Sequence, residues 1–183
     1  MGKITFILGG ARSGKSNYAL GLAKKFRGKV IFIATCQPKD VEMKKRIKAH
    51  KRTRPLSWQT VEEYINIDQA IEKTSGKYVC LVIDCLTLWV SNLILGGYNQ
   101  DEITDKINKV LLSLKKIKAK AIIVSNEVGL GVVPQNKLGR DFRDVAGRIN
   151  QIVASQADEV VFMVSGLPLK LRDGSQNKAK LSP

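Results

Sequence analysis

Residues 9–16 read Gly9-Gly10-Ala11-Arg12-Ser13-Gly14-Lys15-Ser16 and satisfy the pattern G-x-x-x-x-G-K-[ST]. The pattern follows an apolar, β-rich run, Ile4–Leu8, and opens a segment with helical character. That is the setting a phosphate-binding loop requires. Small residues let backbone N–H groups wrap phosphates, and the N-terminus of the following helix adds positive potential. Lys15 is placed to reach β- and γ-phosphates, and Ser16 to ligate Mg²⁺. The bland alternative is a glycine-rich turn ahead of a helix.

Four more apolar runs follow, at Val30–Ala34, Tyr78–Asp84, Ala121–Asn126 and Val160–Ser165. Each is nearly continuous rather than alternating, as strands buried on both faces are. Between them apolar residues recur at helical spacing over 101–118 and over 136–157. Strands alternating with helices predict an α/β fold with a mostly parallel sheet flanked by helices. The chain has 183 residues. Its length suits one domain, taken as residues 1–172, followed by a polar tail over 173–183. Asp84 closes the third apolar run. A carboxylate there needs a partner for its charge, and magnesium beside the phosphate-binding loop is one. The alternative is an N-cap for the next helix.

Thirty-one basic against sixteen acidic residues give a net charge of +15. Such an excess suggests an anionic partner, whether phosphorylated ligand, nucleic acid or membrane surface. No apolar run is long enough to span a bilayer. The N-terminal residues lack the apolar core of a secretion signal. The three cysteines, Cys36, Cys80 and Cys85, are odd in number and widely spaced, as free thiols in a reducing cytosol are. A cytoplasmic protein is expected. With one histidine in the chain, a zinc site is not expected.

That histidine, His50, lies in a basic stretch over residues 37–54 that holds eight Lys and Arg against Asp40 and Glu42. Three readings stand at this point: a solvated helix face, a nucleic-acid arm, or a phosphate-handling histidine. A histidine that attacks phosphorus must be neutral, and cationic neighbours disfavour the imidazolium. The same cations offset charge on a polyphosphate leaving group.

Four stretches together resemble one family. The first is the loop Gly9–Ser16. The second is Ile33-Ala34-Thr35, with Asp40-Val41-Glu42-Met43, Arg46-Ile47-Lys48-Ala49-His50-Lys51, Arg54-Pro55 and Trp58-Gln59-Thr60-Val61-Glu62. The third is Asp84-Cys85-Leu86-Thr87-Leu88-Trp89-Val90-Ser91-Asn92-Leu93. The fourth runs from Ser125-Asn126-Glu127-Val128-Gly129 through Val132-Val133-Pro134 and Arg140–Asp144 to Ala146–Gln151. In combination they resemble the bifunctional adenosylcobinamide kinase / adenosylcobinamide-phosphate guanylyltransferases of cobalamin biosynthesis, over roughly residues 3 to 172.

The resemblance implies a P-loop, RecA-like α/β domain assembled as a homotrimer. It implies phosphorylation of adenosylcobinamide by ATP or GTP. It then implies transfer of GMP from GTP to adenosylcobinamide phosphate, with release of pyrophosphate, through a guanylylated histidine. That histidine matches His50, and Lys15 is the second residue expected in catalysis. Nucleotide contacts are implied for Gly9, Gly10, Ala11, Arg12, Ser13, Gly14, Lys15 and Ser16. They are also implied for Ala34, Thr35, Cys36, Lys51, Arg52, Thr53, Arg54, Glu62 and Asp84. Ser16 and Asp84 are expected to hold Mg²⁺.

Two other classes are open to the residues alone. One is a P-loop kinase without a covalent step. The other is a nucleic-acid-dependent ATPase. Aromatics are 6% of the chain and residues 37–54 contain none, which disfavours a base-stacking mode. No nucleic-acid partner and no membrane span are expected.

Overall fold

The computed structural model describes residues 2–74 and 78–174. In chain order the elements are β1 (Ile4–Gly9), α1 (Lys15–Ala23), β2 (Val30–Ala34), α2 (Val41–Arg52), β3 (Gln59–Glu62), α3 (Ile67–Thr74) and β4 (Cys80–Asp84). There follow α4 (Leu86–Leu95), α5 (Gln100–Lys116), β5 (Lys120–Val124), α6 (Lys137–Gln156), β6 (Glu159–Val164) and β7 (Leu167–Arg172). The strands form one sheet in the order β3-β2-β4-β5-β1-β6-β7. Every neighbouring pair is parallel except β6–β7.

The continuous apolar runs have a direct cause. Successive side chains leave a strand on opposite faces, and here both faces are covered. Phe6 and Leu8 join a core under α3 to α6, while Ile7 joins a second core under α1. The register aligns Ala34 with Asp84, and Asp84 with Val124. The C-terminal ends of β2, β4 and β5 therefore lie level beside the loop that leaves β1. Ligands of open α/β sheets bind along this edge.

Helix α2 differs from the others. Asp40 caps it by accepting from the Met43 N–H at 2.7 Å, yet no described residue of α2 is fully buried. Its basic sequence leaves it little apolar surface to bury against the sheet.

Three elements were not foreseen. Strand β3 is short, polar and at the edge, so only Val61 gives it an apolar position. Helix α3 has eight residues, too few for a clear period. Strand β7 turns back on β6 through Ser165 and Gly166, whose φ values are 50° and 86°. Two consecutive positive φ angles make the kind of turn that suits a tight hairpin. Ser165 thus belongs to the turn rather than to the strand expected over Val160–Ser165. Of the polar tail, residues 175–183 lie outside the described residues.

Candidate functional site

The phosphate-binding loop is built by close backbone packing. Gly9 has φ of 154°, and a Cβ there would lie 2.5 Å from the Met163 carbonyl oxygen. Gly14 caps α1 with φ of 92°, a conformation only glycine adopts without strain. The loop is stitched by Ser13 N–H to Gly10 O at 3.3 Å and by Gly166 N–H to Ser13 O at 3.0 Å. Lys15 is buried in the first turn of α1. Its ammonium donates to Gly10 O at 2.5 Å and to Ser13 Oγ at 3.4 Å. Burial lowers the Lys15 pKa, while Cys85 and Asp84 oppose that shift.

Asp84 ends β4 facing this loop. Burial raises its pKa, and a hydrogen bond from Ser16 together with His50, Arg54 and Lys15 pulls the other way. Asp84 is not a helix cap. Cys85 occupies the N-cap of α4 and makes no side-chain capping bond. The peptide between Asp84 and Cys85 is cis. Thr35 holds its far side, donating to Cys85 O at 2.7 Å and accepting from Cys85 N–H at 2.8 Å. Burial pushes the Cys80 and Cys85 thiols up to about 12, so both stay protonated at neutral pH. None of the three cysteines forms a disulfide among the described residues.

The Ser16 hydroxyl and the Asp84 carboxylate both line the cleft and are hard oxygen donors of the kind Mg²⁺ takes. Among the described residues no group of three or more His, Cys, Asp or Glu could hold a metal. Ser16 and Asp84 therefore fit an ion that draws its other ligands from phosphate and water.

Helix α2 also contributes to the cleft. Met43, Ile47 and His50 line it, with Arg54 just beyond the helix. Spacings of four and three residues put Met43, Ile47 and His50 on one helical stripe. The Arg54 guanidinium stacks 3.7 Å from the centroid of the Phe32 ring. Glu62 accepts from Lys51 and from the Tyr64 hydroxyl, which is 3.0 Å away. The Lys51 bond holds the Glu62 carboxyl below its usual range. The cleft measures about 750 Å³.

The cleft gathers most of the expected residues. Ala11, Arg12, Ser13, Gly14, Lys15 and Ser16 line it, as do Ala34, Cys36, His50, Arg54, Glu62 and Asp84. Six others do not line it. Gly9 and Gly10 shape the loop through their carbonyls. Thr35 is fully buried against Cys85. Lys51 faces a separate groove of about 260 Å³ with Lys44, Lys48 and Glu62. Arg52 is exposed, and Thr53 donates to the His50 carbonyl oxygen at 2.8 Å. The basic stretch thus divides, Lys44, Lys48 and Lys51 lining the outer groove while His50, itself exposed, lines the main cleft.

Asn17, Met43, Ile47, Leu88 and Asn126 also line the cleft and were not singled out. Met43 and Ile47 carried a usable signal, because they share the helical face of His50. Asn126 begins the segment after β5, which is tied down at its base. Thr87 Oγ1 lies 3.1 Å from Ser125 Oγ and accepts from the Asn126 N–H at 2.6 Å. The Asn150 amide donates to Asn126 O at 3.1 Å, and Glu127 N–H donates to Gly9 O at 2.9 Å. Trp89 is fully buried, and its indole N–H donates to Ile65 O at 3.0 Å, which makes it a core residue.

A parallel sheet, a glycine loop with a buried lysine and a carboxylate two strands away define a P-loop nucleotide-binding protein. A family model described as cobinamide kinase / cobinamide phosphate guanyltransferase matches residues 5–171. The chain belongs to that family. It is 40% identical over 178 residues to the bifunctional adenosylcobalamin biosynthesis protein CobU of Salmonella typhimurium, covering 91% of this chain and 98% of the relative. It is 42% identical over 166 residues to the bifunctional adenosylcobalamin biosynthesis protein CobP of Pseudomonas aeruginosa, covering 91% of this chain and 95% of the relative. The corresponding CobU of Escherichia coli is 38% identical over 178 residues, with the same coverage as the Salmonella protein.

Proposed function

We propose that this cleft phosphorylates adenosylcobinamide with ATP or GTP and then guanylylates the product through His50. The observation that carries the reading is that His50 and Lys15 line the same cleft and both act on the Asp84 carboxylate. A triphosphate held by the loop is then within the compartment of a nucleophile.

In the first reaction the aminopropanol hydroxyl of adenosylcobinamide attacks the γ-phosphorus. The bond from that phosphorus to the β–γ bridging oxygen breaks, and the hydroxyl proton is released. The Gly10–Ser16 backbone and Lys15 hold the phosphates and stabilise the developing charge. In the second reaction a His50 ring nitrogen attacks the α-phosphorus of GTP. A nitrogen–phosphorus bond forms, the α–β bridging bond breaks, and pyrophosphate leaves. An oxygen of adenosylcobinamide phosphate then attacks the same phosphorus, restoring His50 and giving adenosyl-GDP-cobinamide. Covalent catalysis divides one difficult displacement into two easier ones. Ser16 and Asp84 would hold Mg²⁺, which supplies charge neutralisation on the triphosphate when bound.

Within this reading Arg54 and Glu62 contact the nucleotide, and Ala34 and Cys36 floor the cleft. Gly9, Gly10 and Thr35 act through the backbone they shape. Lys51 positions Glu62, while Arg52 and Thr53 close the helix that carries His50. The reading also takes residues 1–172 as one domain of a homotrimer working in the cytoplasm. Exposed Leu167, Leu169 and Leu171 on edge strand β7 are apolar surface suited to such an assembly. No helix among the described residues is long and apolar enough to cross a membrane.

The experiment is to incubate the protein with adenosylcobinamide, GTP and Mg²⁺ and to follow corrinoid products by mass. Adenosylcobinamide phosphate followed by adenosyl-GDP-cobinamide is the expected result. Formation of phosphate ester alone would leave a kinase without the transfer step.

A further inference from the structure

The cleft of about 750 Å³ lies within the range that holds one small ligand. A nucleoside triphosphate on Lys15 and a corrinoid with its adenosyl group are too large to share it. The bulk of the acceptor must rest outside, against the rim.

The segment after β5 forms part of that rim. Asn126 lines the cleft, and Glu127 N–H is bonded to Gly9 O beside the phosphate-binding loop. At its other end, Asn136 caps α6 by accepting from the Gly139 N–H at 2.7 Å. Arg140 donates there to Pro134 O at 3.1 Å. Between these anchors three large apolar side chains stand in water: Leu130 is 79% exposed, Val132 95% and Val133 56%. Adjacent exposed apolar residues with anchored ends form a contact surface.

We infer that Leu130, Val132 and Val133 form the seat for the apolar, methyl-bearing edge of the corrin macrocycle. The inference rests on the reading that adenosylcobinamide is the acceptor. It assigns to this segment the binding of the macrocycle, and to the loop and His50 the binding and chemistry of the nucleotide. Continuity with the cleft favours the acceptor over another protein as the occupant, because the segment begins among the cleft-lining residues.

The test is the double variant Leu130→Ser, Val132→Ser. Both side chains are largely solvated, so the fold does not depend on them. Three quantities are compared with wild type: KM for adenosylcobinamide in the kinase reaction, covalent labelling of the protein by GTP without corrinoid, and molar mass by light scattering. The expected result is a KM raised about tenfold or more, with labelling and mass as in wild type. An unchanged KM overturns the inference. A raised KM together with a lower molar mass also overturns it, by assigning the segment to a contact between copies of the chain. Wild-type protein that neither labels nor phosphorylates would instead remove the reading on which the inference rests.

Discussion

The Ser16 hydroxyl favours the charged form of the Asp84 carboxylate, although β1, which leads to Ser16, and β4, which ends in Asp84, are not neighbours in the sheet. Strand β5 lies between β1 and β4, and α1 bridges the gap by packing over β5 and β4. The first turn of α1 therefore carries Ser16 from the end of β1 to the end of β4. Two residues 68 positions apart in sequence become one pair of oxygen donors.

Asp84 costs the nucleotide-free protein stability at neutral pH. Burial raises its pKa in the folded state, so the folded chain binds that proton more tightly than the unfolded chain. The favourable contribution is present below the ordinary carboxylate value and is lost as pH rises through the raised one. Asp84→Asn removes the charge and keeps the shape. It should raise Tm relative to wild type at pH 7, by more than it does at pH 4, and abolish turnover. Scanning calorimetry at the two pH values checks the sign. An unchanged or lower Tm at pH 7 would contradict it.

Lys15 bonds to the loop's own carbonyl and hydroxyl. A triphosphate replaces those partners with charged oxygens. A hydrogen bond to a charged group contributes about 1.5–3 kcal/mol. Lys15→Ala should weaken GTP binding by roughly tenfold to a hundredfold, with the fold intact by circular dichroism. Titration calorimetry with GTP and Mg²⁺ measures this. Equal affinity would show that the loop does not hold the phosphates.

The Thr87 hydroxyl joins the helix after β4 to the segment after β5, through Ser125 and the Asn126 N–H. Thr87→Val keeps the volume and strands both partners in a buried setting. The expected loss is about 1–3 kcal/mol of stability. Urea denaturation gives the value. KM for adenosylcobinamide should also rise, because the segment after Asn126 loses its anchor.

Much of this was legible because local and global preferences agree. The loop Gly9–Ser16 sits between a buried strand and a helix, so motif and context point the same way. The core strands read as buried because helices cover both faces. Strand β3 was hidden because Gln59, Thr60 and Glu62 are exposed edge positions with no apolar period. Strand β7 was hidden because its leucines face solvent rather than a core. Charge counting also blurred α2. Lys44, Lys48 and Lys51 line the outer groove, and their charge masks the helical spacing of Met43, Ile47 and His50, which line the cleft.

The central claim is that His50 carries the guanylyl group. It is tested most directly without corrinoid, by incubating the protein with Mg²⁺ and GTP labelled at the α-phosphate and measuring label retained after denaturation. Wild type should retain label that is labile to acid and stable to base, as a phosphoramidate is. His50→Ala should retain none while still phosphorylating adenosylcobinamide. Equal labelling of wild type and His50→Ala, or no label on a wild-type protein that binds GTP, would contradict the claim.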